Sequence, residues 1–161
     1  MKSIAFTDEM IRAILSGNKT QTRRPVKGLQ GYTHISVSQD SERSWKFISE
    51  DGSYARVDCH YGKIGGLLSV RGTTITLKIT NIRVEKVQEI TEQDAIREGM
   101  IKDDHPELYD PMTEEEVRLC LNGSPKYAFR CIWDEIYDKN GFGWHDNPFV
   151  WVISFKKVEE P

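Results

Sequence analysis

Residues 73–87, TTITLKITNIRVEKV, alternate apolar and polar side chains. Ile75, Leu77 and Ile79 fall on one side of an extended chain and Thr74, Thr76, Lys78 and Thr80 on the other, because successive side chains of a strand point to opposite faces. This is the pattern of a strand with one face in a core and one in water. A second apolar stretch, FVWVISFKKV at 149–158, is apolar on both faces at its start and reads as a central strand. KTQTRR at 19–24 has threonines two apart and is followed by Pro25, which suits a strand held at a sheet edge. THISVS, WKFIS and YARVD (33–38, 45–49 and 54–58) are short strand candidates separated by the turn-rich QDSERS and EDGS. They read as a meander or hairpin pair, and residues 28–58 as a polar hairpin insertion on a smaller core.

Helices are expected between these strands. Thr7 is placed to cap a helix whose apolar face is Met10, Ile11, Ile14 and Leu15, with Gly17 closing it. Thr91 and Asp94 open a shorter helix in ITEQDAIREGM (90–100), with Ile90 and Ala95 at staple positions and Gly99 at its end. Thr113 and Glu116 repeat the capping pattern. Ser124 and Pro125 begin the longest helix, with Phe129, Ile132, Trp133 and Ile136 inward. The resulting expectation is one α+β domain over 161 residues, a small curved sheet or barrel flanked by short helices.

Composition narrows the functional classes. The 38% hydrophobic and 29% charged residues are those of an ordinary globular chain. No apolar run reaches the length of a membrane span, and MKSIAFTDEM lacks the apolar core of a secretory signal. Cys59, Cys120 and Cys131 are odd in number and scattered, which suits a reducing cytoplasm. A net charge of −3 argues against a protein that coats nucleic acid through broad positive potential, but leaves room for a small pocket with a few local cations. No metal is expected: Cys59 stands beside His60, but His34, His105 and His145 are scattered and no CxxC or HxxxH spacing occurs. No cofactor is expected either, since there is no Walker loop and no GxGxxG.

Against this acidic background, SGNKTQTRRPVK at 16–27 gathers four cations around Thr20 and Thr22. Lys19, Arg23 and Arg24 beside a hydroxyl can bind phosphate or activate the hydroxyl as a nucleophile; they can equally form a charged strand edge. Glu98 ends a helix, where the dipole disfavours a carboxylate; it is either a general acid or base, or a surface glutamate. Trp144, Phe149 and Trp151 in GFGWHDNPFVW either stack on a nucleobase or belong to the core, and for Trp151 the core is the better reading.

These residues resemble a known family. AILSGNKTQTRR (13–24) resembles the ASCH signature, a short helix running into a Gly-x-Lys-Thr-x-Thr-x-Arg-like motif. YGKIGGLLSVRG (61–72), ITLKITNIRVEKVQEITEQDAIREGM (75–100) and WVISFKK (151–157) continue the likeness in order, and residues 133–155 are similar to bacterial and prophage members. The resemblance leaves out about 28–58 and 102–122. It implies a PUA-like β-barrel, a fold associated with RNA, and a nucleoside or RNA as ligand. Some small bacterial ASCH proteins remove the acetyl group from N4-acetylcytidine, and others are linked to RNA cleavage. In the amidohydrolases a lysine and a threonine of the first motif and a glutamate of the T-E-x-x-A-x-x-E helix carry catalysis; matched by position these are Lys19, Thr22 and Glu98, with Arg24 as the motif arginine. This chain has Gly66, Ser69 and Gly72 where many relatives have an acidic residue, a Trp and a Glu.

The implied chemistry sets a physical demand. Thr22 would attack an amide carbonyl, Lys19 would take its proton as a neutral amine, and Glu98 would supply one to the leaving base. An ordinary lysine with a pKa of about 10.4 is neutral in only about one molecule in 2,500 at pH 7. Burial and the cations Arg23 and Arg24 would lower that pKa. Arg23, Arg24 and Trp144 are the expected substrate contacts. Lys19 and Thr22 are three apart and would face opposite sides of a straight strand, so Lys19 must lie in the turn before it. A non-catalytic RNA-binding module and an ASCH-type endoribonuclease are the alternatives.

Overall fold

The computed structural model describes residues 1–32, 35–100 and 124–159. The helix expected from Thr113, together with His34, His105 and Cys120, lies outside them. The class is α+β, as expected. Its main sheet has five strands: β1 (Lys2–Ile4), β2 (Gln21–Pro25), β6 (Leu67–Val70), β7 (Thr76–Lys86) and β8 (Phe149–Lys157). They lie in the order β1–β6–β7–β8–β2, with β1 parallel to β6 and the other pairs antiparallel. β8 is central, between β7 and β2.

The inward face of β7 changes parity along the strand. Leu77 and Ile79 are buried in one hydrophobic cluster; so is Ile82, with the partly buried Val84 packed against it, and these two have the opposite parity. A register shift between Ile79 and Asn81 accounts for this: Thr80 is the extra residue of a bulge. Beyond it, Arg83 and Glu85 turn to the other side of the sheet. On β8, Trp151, Ile153 and Phe155 join the cluster of Leu77, while Val150 and Val152 join a second cluster on the opposite side.

Three helices complete the described fold: α1 (Asp8–Leu15), α2 (Glu92–Arg97) and α3 (Pro125–Tyr137). Each begins as its sequence suggests, with Thr7, Thr91 and Ser124 accepting hydrogen bonds from the backbone N–H groups of Met10, Asp94 and Tyr127. Ala95 of α2, Ala128, Phe129 and Trp133 of α3, and Ile90 build the second cluster with Val150 and Val152. Ile136, expected inward, is partly exposed.

The expected barrel does not close. β1 and β2 are the two edges of the main sheet and are not hydrogen-bonded to each other. The chain passes from one edge to the other through residues 5–20, which contain α1. Residues 28–58, expected as a hairpin insertion, include a separate antiparallel meander of β3 (Ser36–Gln39), β4 (Ser44–Ile48) and β5 (Tyr54–Asp58). It does not stand clear of the core: Trp45 and Phe47 of β4 are buried against Trp151 and Phe149 of β8. No helix among the described residues is long and apolar enough to cross a membrane.

Candidate active site

β2 is an edge strand, and its hydrogen-bond parity decides what it offers. Phe155 N–H donates to Thr20 C=O, and Val26 N–H donates to Phe149 C=O. Even-numbered residues of β2 therefore spend their backbone groups on β8. Those of Gln21 and Arg23 point to the free edge, where Pro25 has no N–H to leave unpaired. Across that edge stand Ala5, Phe6 and Thr7, just past β1. Arg24 spans the gap, its Nη2 donating to the Ala5 carbonyl at 2.7 Å and its Cζ lying 5.1 Å from the Phe6 ring centroid.

The gap holds a cavity of about 300 Å³. Its polar wall includes Thr22, Arg23, Arg24 and Glu98; its apolar wall includes Phe6, Phe129 and Trp133. The Thr22 hydroxyl forms no hydrogen bond among the described residues. The Arg24 Nε is buried without a partner among the described residues, while its Nη1 lies 3.4 Å from the Tyr137 hydroxyl.

Lys19 lies in the turn before β2, which resolves the difficulty of the three-residue spacing. Its backbone N–H, with that of Asn18, donates to the Ala13 carbonyl at the end of α1, and Thr20 N–H donates to Arg97 C=O of α2. Gly99 closes α2 in the left-handed region at φ +100°, which favours glycine, and packs beside Ala13 and Lys19. The Lys19 side chain thus crosses to the C-terminus of α2. Its Nζ donates to the Glu98 carboxylate at 2.8 Å and to the Glu98 carbonyl at 3.0 Å. The helix-end carboxylate that the dipole disfavours is compensated by this ammonium and by Arg23, whose Nη1 donates to the other carboxylate oxygen at 3.1 Å.

Lys19 is buried, only 2% exposed. Burial pushes its pKa below the ordinary lysine range; the Glu98 carboxylate opposes this, and Arg24 and Arg23 add to it. The lowering prevails because burial is the largest of these effects. A neutral Lys19 would have two N–H groups for its two acceptors and a lone pair left over.

Thr22, Arg24 and Glu98 therefore line one cavity, and Lys19, which is not among its lining residues, is hydrogen-bonded to Glu98. Arg23 and Trp144 are not placed as expected. The Arg23 side chain is 0% exposed and committed to carboxylates and Gln21. Trp144 lies outside the cavity lining, buried in the second cluster, with Lys126 and Arg130 beside its ring. The aromatic surface comes instead from Phe6 and α3. Sequence reading also missed Glu85 and Asp94, which hold Arg23. The change of parity after Ile79 was the available signal for Glu85; Asp94 stands one helical turn before Glu98, on the same face.

No family model matches the chain, and no curated protein matches it. Its structure is similar to a crystal structure of an ASCH domain from Lactobacillus crispatus JV V101, with TM-score 0.51 and 13% identity over 98% of this chain and 81% of that one. It is also similar to the hypothetical protein PH0355, with TM-score 0.49 and 14% identity over 98% of this chain and 100% of that one. A third likeness is to protein EF3133 from Enterococcus faecalis V583, of the DUF984 family, with TM-score 0.43 and 12% identity over 98% and 80%. At these identities the likeness is one of fold, and the fold of this chain is that of an ASCH domain.

Proposed function

We propose that this chain is an amidohydrolase that acts on N4-acylated cytosine nucleosides, converting N4-acetylcytidine to cytidine and acetate. The observation that carries the reading is an unengaged hydroxyl, Thr22, in a cavity that also contains Glu98 of the buried Lys19–Glu98 pair. The motif match at Lys19, Thr22 and Glu98 supports the same assignment. The cavity is at the small end of ligand sites, which suits one nucleoside better than a polynucleotide. Aromatic walls suit a pyrimidine ring.

In this reading the Thr22 hydroxyl attacks the amide carbon and its proton passes to Lys19 Nζ. The carbonyl oxygen becomes an oxyanion, to which the Arg23 backbone N–H at the free edge and Arg24 offer donors. The tetrahedral adduct collapses, the bond from carbon to N4 breaks, and N4 takes a proton to leave as cytidine. Water then hydrolyses the acyl-threonine ester, releasing the acid and restoring the hydroxyl. Both Glu98 oxygens already accept hydrogen bonds, from Lys19 and from Arg23. Lys19 thus takes over the donor role assigned to Glu98 from sequence, and Glu98 orients Lys19.

The test is release of cytidine from N4-acetylcytidine. Thr22→Ser retains turnover, because the hydroxyl survives. Lys19→Arg loses it, because a guanidinium does not deprotonate. Wild-type protein that shows no turnover yet binds single-stranded RNA with a steep salt dependence would overturn the reading in favour of a binding module.

A further inference from the structure

We propose that the Arg23 side chain is a positioning group for Glu98, holding one carboxylate oxygen so that the other is aimed at Lys19. Its effect on turnover rests on the amidohydrolase reading; its effect on Lys19 does not.

The geometry is that of a clamp closed from three elements. From β2 itself, Gln21 Oε1 accepts from Arg23 Nη1 at 2.7 Å. From β7, Glu85 Oε1 accepts from Nη2 at 2.6 Å and from Nε at 3.2 Å. From α2, Asp94 Oδ2 accepts from Nη2 at 3.0 Å and Glu98 Oε1 from Nη1 at 3.1 Å. A planar guanidinium held at so many points has no freedom to turn, and a lysine cannot reproduce the fork. The side chain is fully buried, so it acts through Glu98 and not on a ligand.

Charge sharing is the second observation. Every carboxylate around Arg23 faces more than one cation. Asp94 also pairs with Arg83 and Arg97, at 2.6 and 2.8 Å. Glu85 pairs with Arg83 at 3.5 Å, and Glu98 with Lys19 at 2.8 Å. Lys19 faces Glu98 from the end of α2, Arg23 and Arg24 from β2, and the Phe6 ring at 5.7 Å. It never has the Glu98 charge to itself. Removing the Arg23 charge would give Lys19 sole possession of Glu98 and remove a repelling neighbour, so Lys19 would hold its proton to higher pH.

Two variants and two readouts test this. Lysine side-chain NMR on 13C-labelled protein follows the titration of Lys19 without substrate, and steady-state kinetics on N4-acetylcytidine give kcat and KM. Arg23→Met moves the Lys19 titration upward and lowers kcat by about tenfold to a hundredfold, the effect of a misaimed reacting group, with KM within about twofold. Arg23→Lys keeps the charge and loses the fork: kcat falls similarly and the titration moves less. Arg23→Lys leaves the carboxylates with a counter-ion and carries the test alone if Arg23→Met does not fold. Wild-type titration and wild-type kcat in Arg23→Lys would overturn the proposal. So would a lowered melting temperature in either variant with no change at Lys19, which is what a purely structural arginine would give. If wild-type protein has no turnover, the amidohydrolase reading fails by itself. The coupling of Arg23 to Lys19 is then decided by the Arg23→Met titration, or by Arg23→Lys if the methionine variant does not fold, and an unmoved Lys19 overturns it.

Discussion

The main sheet is covered in two different ways. On one side the three-stranded sheet lays Trp45 and Phe47 against β8, with ring centroids 5.0 Å apart for Trp45–Trp151 and 5.6 Å for Phe47–Phe149. On the other side, at the β2 end, α2 lowers Asp94 and Glu98 onto Arg23, with Lys19 arriving from the turn. The first covering is apolar burial, which stabilises a fold directly. The second takes charges out of water, and a buried ionic cluster contributes little net stability compared with well-packed apolar residues of the same volume. The difference teaches where stability and geometry are separately made. The aromatic covering holds the sheet together; on the other side, where Ala95, Phe129 and Trp133 also pack with Val150 and Val152, the ionic cluster fixes where a few atoms point.

That division can be broken by substitution. The largest effect is expected on the apolar side: Phe47→Ala removes a fully buried ring and costs about 3–5 kcal/mol, read by urea unfolding, while the folded fraction keeps wild-type KM. Thr22→Ala gives the reverse pattern. Turnover falls at least about a hundredfold, some 2.7 kcal/mol of barrier, while the urea midpoint stays close to wild type. Wild-type turnover in Thr22→Ala would place the chemistry elsewhere.

A pH series sharpens the comparison further. The folded pKa of Lys19 is depressed below its unfolded value by burial. Between the two values the unfolded chain binds the extra proton, so the Lys19 contribution to stability rises with pH through that window. Lys19→Met should flatten this rise, measured as the urea midpoint against pH. Asp94 behaves as a paired carboxylate. Burial raises its pKa, but hydrogen bonding to Arg97 and the charges of Arg23 and Arg83 outweigh this and hold it low. Its contribution is present above the ordinary carboxylate range and lost as pH falls through its folded value, a loss that Asp94→Asn would not show. The smallest effect is expected at Trp144, which lies outside the cavity lining: Trp144→Phe should leave KM within about twofold.

Local signals in the sequence carried much of the fold. The capping residues Thr7, Thr91 and Ser124, the alternation of Ile75, Leu77 and Ile79, and the edge signal of Pro25 all act within a few residues of themselves. What was not legible depends on distance. Whether a curved sheet closes is decided by how β1 and β2 approach, and β1 is only three residues long. The Lys19–Glu98–Arg23 arrangement joins groups more than 70 residues apart, and only the motif resemblance brought Lys19 and Glu98 together beforehand. Arg23 was assigned to substrate because a cation in a polar segment gives no hint of its burial. Trp144 was assigned there because an aromatic in a Gly-rich loop looks exposed until α3 is seen to cover it.

The unclosed gap between β1 and β2 has a bearing on self-association. An open sheet offers its outer strands as templates on which a second copy could add a strand, the usual route to edge-driven aggregation. Here one outer strand is too short to recruit a partner. The other ends in a proline, which cannot donate, and its remaining free groups at Gln21 and Arg23 lie behind the Ala5–Thr7 segment. The opening between β1 and β2 is therefore too interrupted to admit another chain's strand.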